Sequence, residues 1–441
     1  MPDENNIPVI SENNAENPCI TGQEYALIER RCAVNKERFG IRDATNRIMT
    51  TALQWPLRAA ANLADCSYYH IAAYVDQNTT AGVFQDFNCG TNTYDGHRGT
   101  DIATWPFNFY KMDNNLVEVI AAASGTIIDK HDGEFDRNCS SNNLTANYVI
   151  IQHADGSVAL YWHMKNGSIT GVPIGQSVAA GDYLGVVGSS GSASGPHLHF
   201  EVWSGNTAAT RVDPYTGSCN TLNASSWWAS QKSYKETAVI KASVHTTDIV
   251  VPPCPATETL NQSTSFQIPF QGAGLSPGYA KFYIFIRDEV NGLTANLSIL
   301  NPNGTPYLSW NYTSTSDNKV RTWGWSKILP VTAGTYTFQA VYNGITCSST
   351  FNIINPTGIA AVDPLQAVRI IPNPSGGKFF LESGDSRNRE LEIYNLLGEK
   401  VFQSELTGVK TEINLQVPGG VYFYQVSNTN QVRTAGKLII R

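Results

Sequence analysis

Residues 195–201 read GPHLHFE, and the alternation of polar and apolar side chains in this stretch is typical of a β-strand. Side chains two residues apart on a strand lie on the same face, so His197 and His199 are predicted to point the same way. The chain has 8 histidines in 441 residues, and an H-x-H pair is then expected by chance only about 0.15 times. The pair therefore indicates a site with chemistry on one face of a β-sheet.

A second pattern supplies a carboxylate. Residues 97–101 read HRGTD, which alone is uninformative because about 0.7 such spacings are expected by chance. Together with an H-x-H strand the HRGTD pattern becomes informative, because two imidazoles and a carboxylate suit the tetrahedral N/O chemistry of zinc. Three protein ligands leave a fourth position for water, whose pKa zinc lowers to about 7. His163, in the stretch LYWHM at 160–164, is the candidate for proton transfer and oxyanion stabilisation.

The H-x-x-x-D pattern, a Y-x-H strand and the GPHLHFE strand follow one another in this order, and residues 85–215 resemble the lysostaphin-type zinc endopeptidases that cut peptidoglycan peptides. The Gly-rich segments AAASG at 121–125 and GDYLGVVG at 181–188 extend the resemblance. It implies a zinc metalloendopeptidase, a peptidoglycan hydrolase with one Zn²⁺ per chain. The residues that it implies are three metal ligands and a non-ligand catalytic pair: His97, Asp101 and His199 as ligands, and His163 and His197 as the pair.

Length and composition predict a chain of several β-rich domains. A length of 441 residues predicts two to four domains, and 15% charged against 41% hydrophobic residues excludes disorder and coiled coil. The predicted fold class is mainly β, with a Gly-rich antiparallel β peptidase domain, a β-sandwich and a small C-terminal β-sandwich. The first expected domain, residues 1–50, is an N-terminal appendage or propeptide-like segment with one helix ending at Gly40. It is followed by the zinc endopeptidase over residues 51–232 and a β-sandwich accessory domain over residues 236–355. A C-terminal secretion sorting domain is expected over residues 366–441.

The C-terminal strands carry a resemblance of their own. The turns PNPS at 372–375, LEIYN at 391–395 and GGVY at 419–422, followed by a last strand over 434–441, resemble the C-terminal sorting domain of type IX secretion in Bacteroidetes. This implies a secreted or cell-surface protein that contacts the type IX secretion machinery. Its substrate would then be peptidoglycan outside the producing cell.

Charge and cysteine usage limit the partners. A net charge of −7 without a basic cluster argues against nucleic acid, and the sequence holds no apolar stretch long enough for a membrane span. The first ten residues lack the features of a signal peptide, so we expect a cytosolic or already trimmed chain. The 8 cysteines form no C-x-x-C pair, which argues against a Cys-zinc site and favours disulfides in an exported protein. A link between Cys254 and Cys347 is expected to clasp the ends of the middle domain.

Two other functions stay open on the sequence alone. One is a secreted protease for Gly-rich proteins such as elastin, because an open site could accept an extended Gly-rich peptide. The other is a non-catalytic surface protein that only binds glycan or peptide. His153 is expected to be structural. Tyr94, Trp105 and Trp162 could line a substrate groove, although aromatic residues beside strands more often belong to a core.

Overall fold

The computed structural model describes residues 19–43, 51–355, 368–382, 389–428 and 431–441. Residues 1–18 and 44–50 of the expected N-terminal appendage, and the boundary expected near 356–367, lie outside the described residues. The chain divides into two compact units, Met1–Ile354 and Asn355–Arg441. Both are mainly β, as predicted. No helix in the described part of the chain is both long and apolar enough to cross a membrane.

The first unit begins with helix α1, Gly22–Phe39. The helix starts at a capping box, in which the Thr21 hydroxyl accepts from the Glu24 backbone N–H while the Glu24 carboxylate accepts from the Thr21 N–H. It ends at Gly40, whose φ of 65° is the left-handed conformation that glycine adopts without strain. The predicted helix and its end at Gly40 are therefore both present.

The peptidase region contains eleven strands, one short helix and one 3-10 turn. Their bounds are β1 Leu57–Ala59, β2 Tyr69–Ala73, β3 Thr100–Thr104, α2 Asn108–Asp113, β4 Val117–Ile120, β5 Gly125–His131, β6 Asn147–His153, β7 Val158–Met164, β8 Ser177–Val178, β9 Tyr183–Val186, β10 His197–Trp203, the 3-10 turn Ala208–Thr210 and β11 Arg211–Val212. The main sheet has the order β2-β3-β10-β7-β6-β5-β8, with β11 beside β10, and a smaller sheet has the order β1-β4-β9. The strand pairs of both sheets are antiparallel.

The two faces of the main sheet are covered by different elements. Strand alternation sends Leu198, Phe200 and Val202 to one face, where they share a core with apolar residues of the smaller sheet. The opposite face carries a second apolar cluster, in which Trp162 and Trp203 pack against the buried side of α1. The N-terminal helix is therefore part of the folded unit and lies on the sheet face of His197 and His199.

The middle of the chain forms a β-sandwich. Its strands are β12 Ala238–His245, β13 Ser265–Gln267, β14 Tyr279–Glu289, β15 Thr294–Leu300, β16 Pro306–Thr313, β17 Asn318–Ile328, β18 Gly334–Tyr342 and β19 Ile345–Ile354. They make two sheets of order β12-β14-β17 and β13-β19-β18-β15-β16, which enclose one apolar core. A further apolar cluster, with Phe107 from the peptidase region and Phe285 from β14, joins the sandwich to the peptidase region.

Three disulfides connect this unit, and the expected Cys254–Cys347 link is wrong. Cys347 pairs with Cys66 and Cys254 pairs with Cys139, so each sandwich cysteine is joined to the peptidase region. The reason is that both face the neighbouring region across the shared interface, where Arg137 beside Cys139 donates to the Pro255 carbonyl. The third disulfide, Cys89–Cys219, lies within the peptidase region. Cysteine pairing here follows the packing between regions, which sequence spacing does not reveal.

The second unit is a small sandwich with its own core. Its strands are β20 Arg369–Ile371, β21 Lys378–Glu382, β22 Arg389–Tyr394, β23 Lys400–Leu406, β24 Lys410–Asn414, β25 Gly420–Asn428 and β26 Gln431–Ile440. The sheets have the orders β20-β21-β24 and β23-β22-β25-β26. Asn373, in the PNPS turn, donates to the Lys437 carbonyl and accepts from the Ile439 N–H. The PNPS turn thus holds the last strand in place.

Candidate metal centre

Three neighbouring strands of the main sheet bring the sequence-predicted residues together. Strand β10 lies between β3 and β7, and the antiparallel register sets His199 opposite Asp101 on one side and opposite Trp162 on the other. His97 is in the turn just before β3. Residues that lie far apart in the sequence therefore meet at one point of the sheet.

The predicted ligands, called the metal triad here, have three donor atoms in contact with one another. Asp101 Oδ1 lies 3.1 Å from His97 Nε2 and 2.9 Å from His199 Nδ1, and the two nitrogens are 3.2 Å apart. Ligand atoms around a tetrahedral zinc with bonds of 2.0–2.1 Å are about 3.3 Å apart. The spacing of the triad fits such an ion.

Hydrogen bonds fix which ring nitrogen faces the triad. His97 Nδ1 is 2.6 Å from the Tyr74 carbonyl, which can only accept, so this nitrogen carries the proton and Nε2 is left as a lone-pair donor. His199 Nε2 is 3.4 Å from the Glu201 carboxylate, which likewise leaves Nδ1 free. Outer partners of this kind orient metal-binding imidazoles. Both histidines thus have the ligand state that a zinc ion requires.

The other two histidines, His163 and His197, are called the histidine pair here, and their ring centroids lie 4.6 Å apart. Their Nδ1 atoms lie 2.6 Å from the Ser190 carbonyl and 2.8 Å from the Gly195 carbonyl. Both Nε2 atoms are buried and have no hydrogen-bond partner among the described residues. The pair therefore presents two unused nitrogens beside the metal triad.

His163 reaches this position through an unusual backbone. Regular alternation along β7 would place it on the face of Tyr161, which belongs to the core on the other side of the sheet. Its φ of 66° lies in the left-handed region, which costs a non-glycine residue about 1–3 kcal/mol and is concentrated at functional sites. This local strain lets His163 share a face with His197.

Two further residues at the centre, Cys19 and Tyr94, extend the site. The Tyr94 ring stacks on His97 at 4.2 Å, and its hydroxyl is 2.8 Å from Cys19 Sγ and 3.4 Å from Asp101 Oδ2. No local sequence pattern assigns Cys19 a role, because its place depends on how α1 packs. For Tyr94 the sequence indicates only a possible place in a substrate groove.

The environment sets the charges of the centre. Burial alone would raise the pKa of Asp101, but the neighbouring His97 and His197 hold it well below its usual value. Burial and the nearby His197 lower the pKa of His163. Asp101 is therefore a carboxylate and His163 a neutral imidazole near neutral pH.

Glu201 is a second residue at the centre to which the sequence pattern assigns no role. Burial would raise its pKa, but the hydrogen bond from His199 and the charge of Arg98 bring it below the usual value. The carboxylate also accepts from the Tyr25 hydroxyl at 2.6 Å and from Trp203 Nε1 at 2.7 Å. It therefore connects His199 to α1.

The remaining residues considered in the sequence lie in packed surroundings. His153 Nδ1 contacts the Ser124 carbonyl at 2.9 Å, outside the centre. Trp162 stacks on Tyr148 with centroids 4.1 Å apart, under α1. Trp105 packs at the interface with the sandwich. The two tryptophans thus contact other elements of the same unit.

Comparison with known proteins agrees with these observations. Residues 95–214 match peptidase family M23, and residues 369–441 match the secretion system C-terminal sorting domain. The cell division protein DipM of Caulobacter vibrioides is 35% identical over 117 residues, which are 26% of this chain and 19% of that protein. The peptidoglycan DD-endopeptidase ShyC of Vibrio cholerae is 25% identical over 150 residues, 30% of this chain and 34% of that protein. The chain thus spans less than two thirds of the length of either relative.

Among solved structures, the catalytic domain of the antimicrobial peptidase lysostaphin from Staphylococcus simulans is 24% identical, with a TM-score of 0.21, and the match covers 32% of this chain and 85% of that one. The sorting domain indicates secretion to the cell surface or the extracellular space. The chain therefore carries a peptidase family M23 domain over residues 95–214 and a type IX secretion sorting domain over residues 369–441.

Proposed function

We propose that the M23 domain is a zinc endopeptidase that hydrolyses peptide bonds in the stem or cross-bridge peptides of peptidoglycan. The observation that supports it most is the metal triad, in which three donor atoms lie 2.9–3.2 Å apart, with the protonated nitrogens of both imidazoles turned away. Such a set of two nitrogens and one carboxylate oxygen holds zinc and leaves a coordination position open.

In this proposal His97, Asp101 and His199 hold the zinc, which lowers the pKa of a bound water and polarises the substrate carbonyl. The histidine pair lies beside this position with two unused Nε2 atoms. Nε2 of the neutral His163 is placed to accept a proton. Burial would lower the pKa of His197, but the nearby Asp101 raises it to about 9, so His197 is placed to donate a hydrogen bond from Nε2 to the oxygen that becomes negative during attack. Contributions of this kind are each worth about 10²–10³ in rate.

The substrate class rests on the relatives and on secretion. One relative is named a peptidoglycan DD-endopeptidase, and the sorting domain takes this chain to the cell surface or beyond. The producing cell's own wall lies on the other side of its outer membrane. We therefore infer that the substrate is the peptidoglycan of other cells. The protein would cleave it either to obtain nutrients or to attack competing cells.

The test combines metal content with product identity. The purified full chain should bind close to one zinc, and mass spectrometry of fragments released from peptidoglycans of several cross-bridge types should identify one cleaved bond. Even weak hydrolysis by the full chain is sufficient for this test, because the measurement is the mass of the released fragments and not the rate. Elastin incubated in parallel tests the Gly-rich protein alternative. Cleavage of elastin alone, or zinc binding near zero, would contradict the proposal.

The sorting tail has a separate test. Deleting residues 366–441 removes every strand described for the second unit, which has its own core. The shortened protein should stay in the periplasm of its natural host, whereas the full chain should appear at the surface or in the medium. Normal export of the shortened protein would refute the role of the tail.

A further inference from the structure

Residues 19–41, called the cover segment here, close the sheet face that carries the metal centre. Helix α1 packs its buried side chains against apolar residues of this face, including Trp162 and Trp203. All five residues of the metal triad and the histidine pair are at most 8% exposed. A peptide substrate cannot reach a centre buried to this degree. The described structure is therefore a closed state.

The thiol of Cys19 lies at the middle of the closed site. Its sulfur and the donor atoms of the metal triad all lie within 4.8 Å of one another, and its sulfur and the nitrogens of the histidine pair meet the same limit. The sulfur therefore lies next to both groups. In the proposed function this is where the attacking water and the substrate carbonyl must lie.

The histidine pair gives an independent indication that this space receives a ligand. The Nε2 atoms of His163 and His197 are buried without a hydrogen-bond partner among the described residues. Leaving a buried polar atom unsatisfied costs about 1–3 kcal/mol. Two such atoms aimed at one space are expected where substrate, water or a metal ligand binds.

Hydrogen bonds place the cover segment on the sheet. The Tyr25 hydroxyl donates to Glu201 at 2.6 Å, and its ring lies 4.7 Å from the Arg98 guanidinium carbon. The Glu29 carboxylate accepts from the Ala208 N–H at 2.8 Å. Tyr25 thus contacts the same carboxylate that orients His199, so the segment is connected to the metal triad through a specific contact.

No disulfide joins the cover segment, residues 19–41, to the peptidase region. Both of its cysteines, Cys19 and Cys32, are free thiols, whereas the sandwich is joined to the peptidase region by two disulfides. No strand pairing links α1 to the sheet among the described residues. The segment is therefore held by side-chain contacts alone and can separate without breaking a covalent bond in the peptidase region.

We propose that Cys19 supplies a thiolate as the fourth zinc ligand and that the cover segment thereby keeps the peptidase latent. This inference rests on the zinc site of the proposed function. The thiol releases one proton on binding the metal, and the sulfur takes the position that water needs. Activity then requires that the cover segment leaves the sheet, which frees this coordination position and opens the sheet face to a peptide.

Cobalt substitution tests the ligand directly. Co²⁺ replaces zinc in tetrahedral sites, and a cysteine thiolate bound to it gives an intense charge-transfer band in the near ultraviolet. The full chain loaded with Co²⁺ should show this band. Cys19→Ala should bind Co²⁺ without the band, and the matched control Cys32→Ala, which removes the other free thiol of the same segment, should keep it.

The outcomes separate this inference from the proposed function. Loss of the band only in Cys19→Ala, together with a rise in muropeptide hydrolysis on the order of tenfold or more over the full chain, supports latency. Cobalt binding by the full chain without a thiolate band would overturn the inference and leave the zinc site intact. A band without any rise in hydrolysis would overturn latency. Absence of metal binding in all three proteins would overturn the proposed function itself.

Discussion

The sheet beneath the metal centre and the cover segment above it are held by different forces. Strands β3, β10 and β7 are hydrogen-bonded to neighbours on both sides, and their inner face belongs to a large apolar core. The cover segment is one helix with a short lead, held by buried side chains and a few hydrogen bonds. The sheet can therefore keep its geometry when the cover segment leaves, which is what a latent enzyme requires.

The largest expected effect comes from a substitution in the metal triad, on the sheet. In the Cys19→Ala background, His199→Ala removes one of the three remaining protein ligands, so zinc affinity should fall at least about a hundredfold and hydrolysis should reach background. His153→Ala is the matched control, because it removes another buried strand histidine outside the centre. The measurement is the zinc content of both variants by mass spectrometry. Retention of zinc by His199→Ala would mean that the metal triad is misassigned.

The histidine pair should behave differently from the metal triad. His163→Ala and His197→Ala should keep close to one zinc per chain, because neither residue is a ligand in the proposal. In the Cys19→Ala background, where no thiolate occupies the fourth coordination position, each should lower kcat by about 10²–10³. Loss of zinc in His197→Ala would exchange its role with that of His199. An unchanged kcat in His163→Ala would assign this residue to the structure.

The strands and candidate ligands of the sheet could be predicted from the sequence. For the cover segment, only the helix could be predicted. Alternation along one strand predicts that His197 and His199 share a face, and the antiparallel register then brings Asp101 opposite His199. The helix and its end at Gly40 were also predictable, because caps are local signals. Where the helix packs depends on contacts between residues far apart in the chain, so the position of Cys19 was not predictable.

Two other features escaped prediction for the same reason. The left-handed backbone of His163 leaves no mark in the residue types of its strand. The disulfides Cys66–Cys347 and Cys139–Cys254 join separate regions, and their pairing follows from how the sandwich packs on the peptidase region. Local patterns thus predicted the elements and the ligand types, whereas contacts between elements decided access to the site.

A smaller effect should weaken the cover segment and leave the sheet intact. Ile28 is 3% exposed and packs against the sheet, whereas its neighbour Leu27 is 55% exposed. Ile28→Ala should cost the docked helix about 2 kcal/mol, which raises hydrolysis by the full chain roughly thirtyfold. Leu27→Ala should leave the rate unchanged. Equal rates in both variants would show that packing of α1 does not control access.

The smallest expected effect concerns the helix cap, which connects Cys19 to the rest of the cover segment. Thr21 is two residues from Cys19, and its hydroxyl accepts from the Glu24 N–H at 3.2 Å. Thr21→Ala removes this bond at a cost of about 1 kcal/mol, so hydrolysis by the full chain should rise roughly fivefold. Thr21→Ser keeps a hydroxyl in the same place and should stay near the parent rate. Because neither variant touches the sheet, zinc content should be equal in both, and only the population of the closed state should change. Identical rates for the Ala and Ser variants would mean that the position of Cys19 is set by its contacts at the centre, such as Tyr94, and not by the start of the helix.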